Sequence, residues 1–212
     1  MKIGIIGSGA VATTLAAGFI KHGHDVTIGT RDTAKLAEFA KANSKVKISS
    51  FAEAAKFGEV IVLSVKGTAA ESALSLAGAA NLAGKTVIDT TNPIADAPPE
   101  NGILKYFTTM DKSLMELLQD KFPAAHFVKA FNSVGSVTMV NPAFKEGKPT
   151  MFIAGNEASA KRTVSTILDQ LGWDVEDLGV AAGARAIEPL CILWCAPGFL
   201  RNEWSHAFKM LH

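Results

Sequence analysis

Residues Met1 to Asp32 read MKIGIIGSGAVATTLAAGFIKHGHDVTIGTRD, and this stretch decides the fold. Ile3 to Ile6 form an apolar run and Gly7-Ser8-Gly9 a glycine-spaced turn. Val11 to Lys21 carry apolar residues at helical spacing, and Val26 to Ile28 are a second apolar run. The order is strand, turn, helix, strand. The turn fits G-x-G-x-x-A, with Gly7, Gly9 and Ala12 at the three small positions of a dinucleotide fingerprint. Gly7 lets the chain turn out of the strand, Gly9 lets backbone approach a pyrophosphate, and Ala12 lets helix and strand pack closely. The phosphates then sit on the amino end of the helix, where free N–H groups and the helix dipole favour negative charge.

The tip of the second strand selects the nucleotide. An NAD enzyme places Asp or Glu there to accept from the ribose 2′-hydroxyl, whereas this chain has Gly29, Thr30 and Arg31. Thr30 offers a hydroxyl and Arg31 a planar fork suited to phosphate, and Lys35 adds a second cation one helical turn later. Asp32 follows Arg31 and reads as the N-cap of a helix over Thr33 to Ala42. The pattern predicts NADP rather than NAD.

At 212 residues the chain holds one large domain, or one domain with a small appendage. A hydrophobic fraction of 48% supplies a core, and a net charge of +1 without a basic block argues against nucleic acid or an anionic membrane as partner. Lys2 and the apolar residues after it do not read as a secretory signal, because their middle is the glycine turn. No apolar run is long enough to span a bilayer, and a cytoplasmic location is expected. Cys191 and Cys195 stand four apart in a helical segment without His or Cys companions, which makes them buried apolar residues rather than metal ligands. No metal is expected.

Further along, strands are predicted at Lys47-Ile48, Val60 to Val65, Thr86 to Asp89, Ala125 to Ala130 and Thr150 to Ala154, with Asp174 to Asp177 as an edge strand. Helices are predicted at Phe51 to Phe57, Thr68 to Ala80, Ser113 to Phe122 and Ala158 to Leu171. Thr90 to Thr109, with its Asn-Pro, Pro-Pro and Asn-Gly pairs, reads as a long loop of functional interest. Ala181 to Leu211 read as mostly helical with a break at Pro197-Gly198. The fold class is α/β, a doubly wound, mostly parallel sheet, with residues 1–178 as the nucleotide-binding domain. Residues 179–212 form a short helical extension packed on it or on a partner subunit.

Ligands of such a sheet lie outside the carboxyl ends of its strands. Asn92 and Asn132 follow two strands and carry a donor and an acceptor suited to a carboxamide; Val65 or Pro93 could wall a nicotinamide. Asn92-Pro93 read equally well as a plain turn, and Asn132 as a loop cap. The sequence lacks an evident base for alcohol oxidation: His22, His24, His126, His206 and His212 are scattered, and Tyr106 lies in the long loop without a lysine at helical spacing. Only about 35 residues follow the last strand, too few for a large helical substrate domain. A flat hydride acceptor suits such a site, since transfer between stacked rings depends chiefly on placement. A non-catalytic NADPH sensor, or a small imine or carbonyl reductase using Lys66 or Tyr106 as acid, would fit the same fold.

The segments GIIGSGAVA, TIGTRD with Lys35, VIVLSVK, VIDTTNP, VKAFNSVG and ARAIEPLCILW together resemble the NADP oxidoreductases dependent on the deazaflavin coenzyme F-420. The resemblance covers nearly the whole chain and extends to the reductase domains of membrane metalloreductases, which pass electrons to a flavin. It implies that Ser8, Gly9, Ala10 and Val11 contact the pyrophosphate and that Thr30, Arg31 and Lys35 hold the 2′-phosphate. It also implies that Val65, Lys66, Ala130 and Asn132 surround the nicotinamide. The implied reaction moves a hydride between NADPH and F-420, or FMN or FAD in the flavin-using relatives, in a homodimer. The chain departs from the deazaflavin enzymes at Asn132, where they carry histidine, and at TTNP, where they carry a proline-rich tract.

Overall fold

The computed structural model describes residues 1–211. Strands β1 (Lys2–Ile6), β2 (Asp25–Gly29), β3 (Val46–Ser49), β4 (Val60–Leu63), β5 (Thr86–Asp89) and β6 (His126–Lys129) form one parallel sheet in the order β3-β2-β1-β4-β5-β6. Helices α1 (Ala10–Lys21) and α7 (Ala158–Gln170) pack on one face. On the other lie α3 (Phe51–Phe57), α4 (Ala70–Ala77) and α6 (Leu114–Lys121). This is the doubly wound sheet expected from the sequence, with its topological switch between β1 and β4.

Burial on both faces explains the apolar strands. In β1, Ile3 and Ile5 enter the core shared with Leu15 and Phe19 of α1, while Ile6 enters the opposite core with Ala55 and Leu63. All three isoleucines are wholly buried, each contributing roughly 1.5–3 kcal/mol of hydrophobic stabilisation. Ala12 and Ala16 are also wholly buried, so α1 settles close to the sheet and fixes its amino end over the tip of β1.

Two helices differ from the sequence reading. The helix expected over Thr68 to Ala80 begins with a 3-10 turn, Gly67–Ala69, continues as α4, and is broken by Gly78 at φ 89° before the short α5 (Ala79–Leu82). The helix expected over Thr33 to Ala42 likewise opens as a 3-10 turn, Ala34–Leu36, ahead of α2 (Ala37–Ala42). Asp32 accepts the Ala34 N–H at 3.0 Å, a cap-like bond two residues on.

The strands β7 (Thr150–Ile153) and β8 (Asp174–Asp177) pair in parallel with each other rather than extending the main sheet. They meet it through one antiparallel bridge, Lys129 to Ala154, with the Lys129 N–H donating to the Ala154 carbonyl at 3.0 Å. A parallel neighbour of β6 needs a covering crossover, and residues 130–149 supply only the 3-10 turn Ser136–Thr138.

The carboxyl-terminal helices are α8 (Ala184–Ile187) and α9 (Leu190–Arg201). Contrary to the expected break, α9 runs through Pro197 and Gly198 and ends at Asn202, which takes the left-handed conformation at φ 57°. The carbonyl that Pro197 leaves without an amide belongs to Leu193, on the exposed side of the helix. Beyond Asn202 the described chain, to Leu211, has no regular secondary structure and is not helical. The Thr150 N–H donates to the Phe208 carbonyl at 2.8 Å, and the Met210 N–H to Thr150 Oγ1 at 3.0 Å. Trp194 and His206 clasp this tail: Trp194 Nε1 donates to the His206 carbonyl at 2.8 Å, and His206 Nε2 to the Trp194 carbonyl at 3.0 Å. Among the described residues no helix is long and apolar enough to cross a membrane, and His212 lies outside them.

Candidate nucleotide site

A crevice of about 1010 Å³ runs along the carboxyl ends of the strands. Ser8, Gly9, Ala10 and Val11 form its floor, Arg31 and Lys35 one end, and Val65, Lys66 and Asn92 a wall. These nine residues, expected at the site from sequence, are brought together.

The floor fits a phosphate. Gly7 lies beneath it at φ 137°, and a Cβ there would stand 2.2 Å from the Ser64 carbonyl oxygen, so this turn admits glycine alone. At Gly9 a Cβ would meet no protein atom within 4 Å. The space over Gly9 is crevice. Gly9 caps α1 without a side-chain hydrogen bond, and no acidic residue stands in the first turn, so the helix presents free N–H groups to a ligand.

At the other end, Arg31 and Lys35 are exposed and have no carboxylate within 4.0 Å among the described residues. Thr30 does not line the crevice. It is 7% exposed, and its hydroxyl donates to the Asp32 carbonyl at 3.1 Å and accepts the Asp32 N–H at 3.2 Å. That bond shapes the turn that presents Arg31.

Pro93, Ala130 and Asn132 also lie behind the wall rather than on it, all three buried. Asn132 is joined to Asn92: Asn92 Nδ2 donates to the Asn132 carbonyl at 2.7 Å, and Asn132 Nδ2 donates to Asn92 Oδ1 at 3.1 Å and to the Ile187 carbonyl at 3.0 Å. Among the described residues Asn132 Oδ1 is buried without a partner. Before it, Phe131 holds φ 62°, a conformation strained for an aromatic residue. The β4 tip closes on the same place, since a Cβ at Gly67 would stand 2.0 Å from the Asn92 carbonyl oxygen.

Under this end lies a buried charge cluster absent from the sequence reading. Lys129 Nζ stands 2.7 Å from Asp89 Oδ2, 2.9 Å from Glu188 Oε1 and 2.8 Å from the Thr91 carbonyl oxygen. Glu188 also accepts the Leu114 and Met115 N–H groups at 2.9 and 3.0 Å, capping α6. Burial pulls the Lys129 ammonium down, but the two carboxylates more than offset it, and its pKa lies above the ordinary lysine value.

Sequence reading missed Phe51, Ala69, Ala73 and Leu76 along the crevice, while Ile94 to Pro98 line it from the long loop expected to be of functional interest. Phe51 opens α3 two residues after β3 ends, so the rule of strand ends could have found it. Tyr106 is not free for acid chemistry. Its hydroxyl donates to the Glu188 carbonyl at 2.7 Å, and burial pushes its pKa up. Lys66 is exposed and stands 3.7 Å from Asp96. The histidines His22 and His24 bond to Asn141 and Gln170, away from the crevice. The Cys191 and Cys195 sulfurs are 4.0 Å apart and unbonded covalently.

A family model described as NADP oxidoreductase, coenzyme F420-dependent, matches residues 2–93. Metalloreductase STEAP3 of Rattus norvegicus is 33% identical over 203 residues, covering 94% of this chain and 39% of that protein. The chain therefore spans about two-fifths of the length of the curated relatives it matches. Among solved structures, a "putative f420 dependent nadp-reductase" from Arthrobacter sp. FB24 superposes with a TM-score of 0.93 at 35% identity, covering 100% of both chains. An imine reductase from Aspergillus terreus, in complex with NADPH4, shares the fold at a TM-score of 0.67 and 19% identity, over 91% of this chain and 60% of that one.

Proposed function

Because the chain belongs to the family of coenzyme F420-dependent NADP oxidoreductases, we propose that it moves a hydride between NADPH and a flat ring acceptor, a deazaflavin or a flavin. The observation that carries this reading is the crevice itself. One continuous wall joins two unpaired cations, an open helix end and an apolar stretch, with no carboxylate at the β2 tip.

In this reading the N–H groups of Ser8 to Val11 hold the pyrophosphate, and Arg31 and Lys35 hold the 2′-phosphate in a turn shaped by Thr30. Phe51, Ala69, Ala73 and Leu76 offer the adenine an apolar slot. The nicotinamide end falls to Val65, Lys66 and Asn92, with Pro93, Ala130 and Asn132 behind them. NADPH, when bound, supplies the hydride at its ring carbon. The protein's part is to align two rings and exclude water, for which no acid is required, and the committed Tyr106 hydroxyl agrees with that. Residues 1–178 carry the nucleotide, and the extension that starts at residue 179 buttresses its nicotinamide end through Ile187 and Glu188. We take the molecule to act as a cytoplasmic homodimer, with Leu193, Phe199 and Leu200, all exposed on α9, offering the contact.

The test is anaerobic oxidation of NADPH with the deazaflavin, FMN, FAD and small carbonyl compounds in parallel, alongside NADH. Turnover with one ring acceptor and a preference for NADPH is expected. Tight NADPH binding without turnover would overturn the reading in favour of a sensor.

A further inference from the structure

The buried cluster under the crevice performs work that the cofactor contacts do not explain. Lys129, Asp89 and Glu188 are wholly or almost wholly buried, and such a cluster is costly unless its geometry is closed. Here, among the described residues, three of the four carboxylate oxygens are hydrogen-bonded, and the fourth, Asp89 Oδ2, has only the ion pair with Lys129 at 2.7 Å. Asp89 Oδ1 accepts both the Thr91 N–H at 2.9 Å and the Thr91 hydroxyl at 2.7 Å, while Lys129 holds the Thr91 carbonyl. Thr91 precedes Asn92 on the crevice wall. From the other side, Glu188 takes Lys129 and the amino end of α6 with its carboxylate, and the Tyr106 hydroxyl with its carbonyl. The carbonyl of the neighbouring Ile187 takes Asn132. Two consecutive residues of the carboxyl-terminal segment thereby hold the β5 tip, the β6 tip, the long loop and α6 in register.

We infer that Glu188 is a positioning residue for hydride transfer: through Lys129 and the Asn92–Asn132 pair it sets the angle at which the nicotinamide is presented. The claim rests on the reading of these asparagines given above. Among the described residues the pair has one amide oxygen left over, Asn132 Oδ1, buried behind the crevice wall without a partner; Asn92, the member of the pair that lines the crevice, is the one that meets the ligand. The two Asn92 amide atoms are already committed to Asn132, so the orientation of Asn92 is fixed through Asn132 by the Ile187 carbonyl and not by the ligand. The phosphate end of the crevice shares none of these bonds.

This separation supplies the test. Glu188→Gln keeps size and one acceptor but sets an NH2 against N–H donors. In the full chain we expect NADPH to bind within about two-fold of wild type by fluorescence titration, because the phosphate contacts are untouched. We expect kcat with whichever ring acceptor the wild type uses to fall at least ten-fold, and the primary isotope effect with 4-deuterated NADPH to rise. Tyr106→Phe removes a single oxygen and leaves every charge in place; it should lower kcat about three-fold at unchanged NADPH affinity, and it keeps the test alive if Glu188→Gln does not fold. Unchanged kcat in the folded variants overturns the inference, as does a loss of kcat and affinity in equal proportion. A wild type that binds NADPH but reduces no acceptor fails the hydride-transfer reading alone. Positioning is then read from the emission of bound NADPH, whose wavelength follows the nicotinamide surroundings: a shift in the variants supports the inference, and identical spectra overturn it.

Discussion

The ammonium of Lys129 lies 2.7 Å from the Asp89 carboxylate with neither side chain exposed to solvent at all. Asp89 ends β5 and Lys129 ends β6, and the two residues are direct register partners. The ion pair therefore locks the carboxyl edge of the sheet where the crevice begins. Replacing Lys129 by Met should cost about 3–5 kcal/mol, because it leaves two carboxylates buried without a cation. Equilibrium urea unfolding measures it. Since the folded pKa of Lys129 is raised, its contribution is fully present below the unfolded value of 10.5 and is lost only as pH rises through the higher folded value. The wild type keeps this contribution whole from pH 6 to pH 9, whereas the variant gains as its uncompensated buried carboxylates take up protons at lower pH; the gap should therefore be widest toward pH 9, and a gap that narrows toward pH 9 would contradict the pairing.

Among the described residues no carboxylate pairs with Arg31 or Lys35, so their removal should be silent for folding and specific for nucleotide. Arg31→Ala is expected to weaken NADPH binding about ten-fold, or about 1.4 kcal/mol, and Lys35→Ala somewhat less. NADH affinity should stay within two-fold in both. Fluorescence titration of the two nucleotides decides it; equal losses for NADH and NADPH would show that these cations do not meet the 2′-phosphate.

The first helix and both its flanking strands were legible because one local device, apolar run then GSG then helical period, has a single structural solution. Arg31 and Lys35 were legible for a related reason: a strand tip is a fixed place in a doubly wound sheet. Lys129 and Glu188 were not. Lys129 reads as a polar residue closing a strand, and its partners stand 40 residues before it and 59 after it in the chain, so only packing unites them. The direction of β7 was hidden too, since an alternating or apolar run looks the same whether its neighbour is parallel or antiparallel. The tail failed differently. Trp204 covers Gly198 so closely that a Cβ there would stand 2.3 Å from the ring. The Pro197-Gly198 pair that reads as a break is thus a packing site inside a continuous helix.

Glu116 and Arg185 should govern acid stability at the junction of α6 and α8. Arg185 Nε stands 2.9 Å and its terminal nitrogen 2.6 Å from the Glu116 carboxylate, and Ser113 donates to it from both N–H and hydroxyl at 2.8 Å. The Arg185 bond, more than the Ser113 bonds, holds the Glu116 carboxyl down to about 2 from 4.5. That interval corresponds to about 3 kcal/mol, reduced to roughly 1–2 kcal/mol by the solvent that reaches Arg185. A lowered folded pKa gives stability that is present above the unfolded value of 4.5 and is lost as pH falls toward 2. Arg185→Met should therefore be less stable than wild type at pH 6, with the difference shrinking between pH 4.5 and pH 2. Thermal melts across that range measure it, and a difference independent of pH would assign the effect to packing.

Gly7 and Gly9 stand two residues apart in one fingerprint yet should fail in opposite ways. At Gly7 an alanine must adopt φ 137° and drive its Cβ to 2.2 Å from the Ser64 carbonyl oxygen, so β1 and β4 must separate at the switch point. Gly7→Ala should lower the melting temperature by several degrees at least, consistent with a loss of about 2 kcal/mol or more. At Gly9 the backbone is extended, with φ −87° and ψ −174°, which any residue tolerates, and the added methyl enters empty crevice. Gly9→Ala should melt within about 2 °C of wild type and bind NADPH at least ten-fold more weakly, because the methyl stands where the pyrophosphate must approach. A folded Gly9→Ala variant with wild-type affinity would remove the phosphate from the amino end of α1. The crossed result, stability lost at Gly9 and kept at Gly7, would contradict the turn geometry itself.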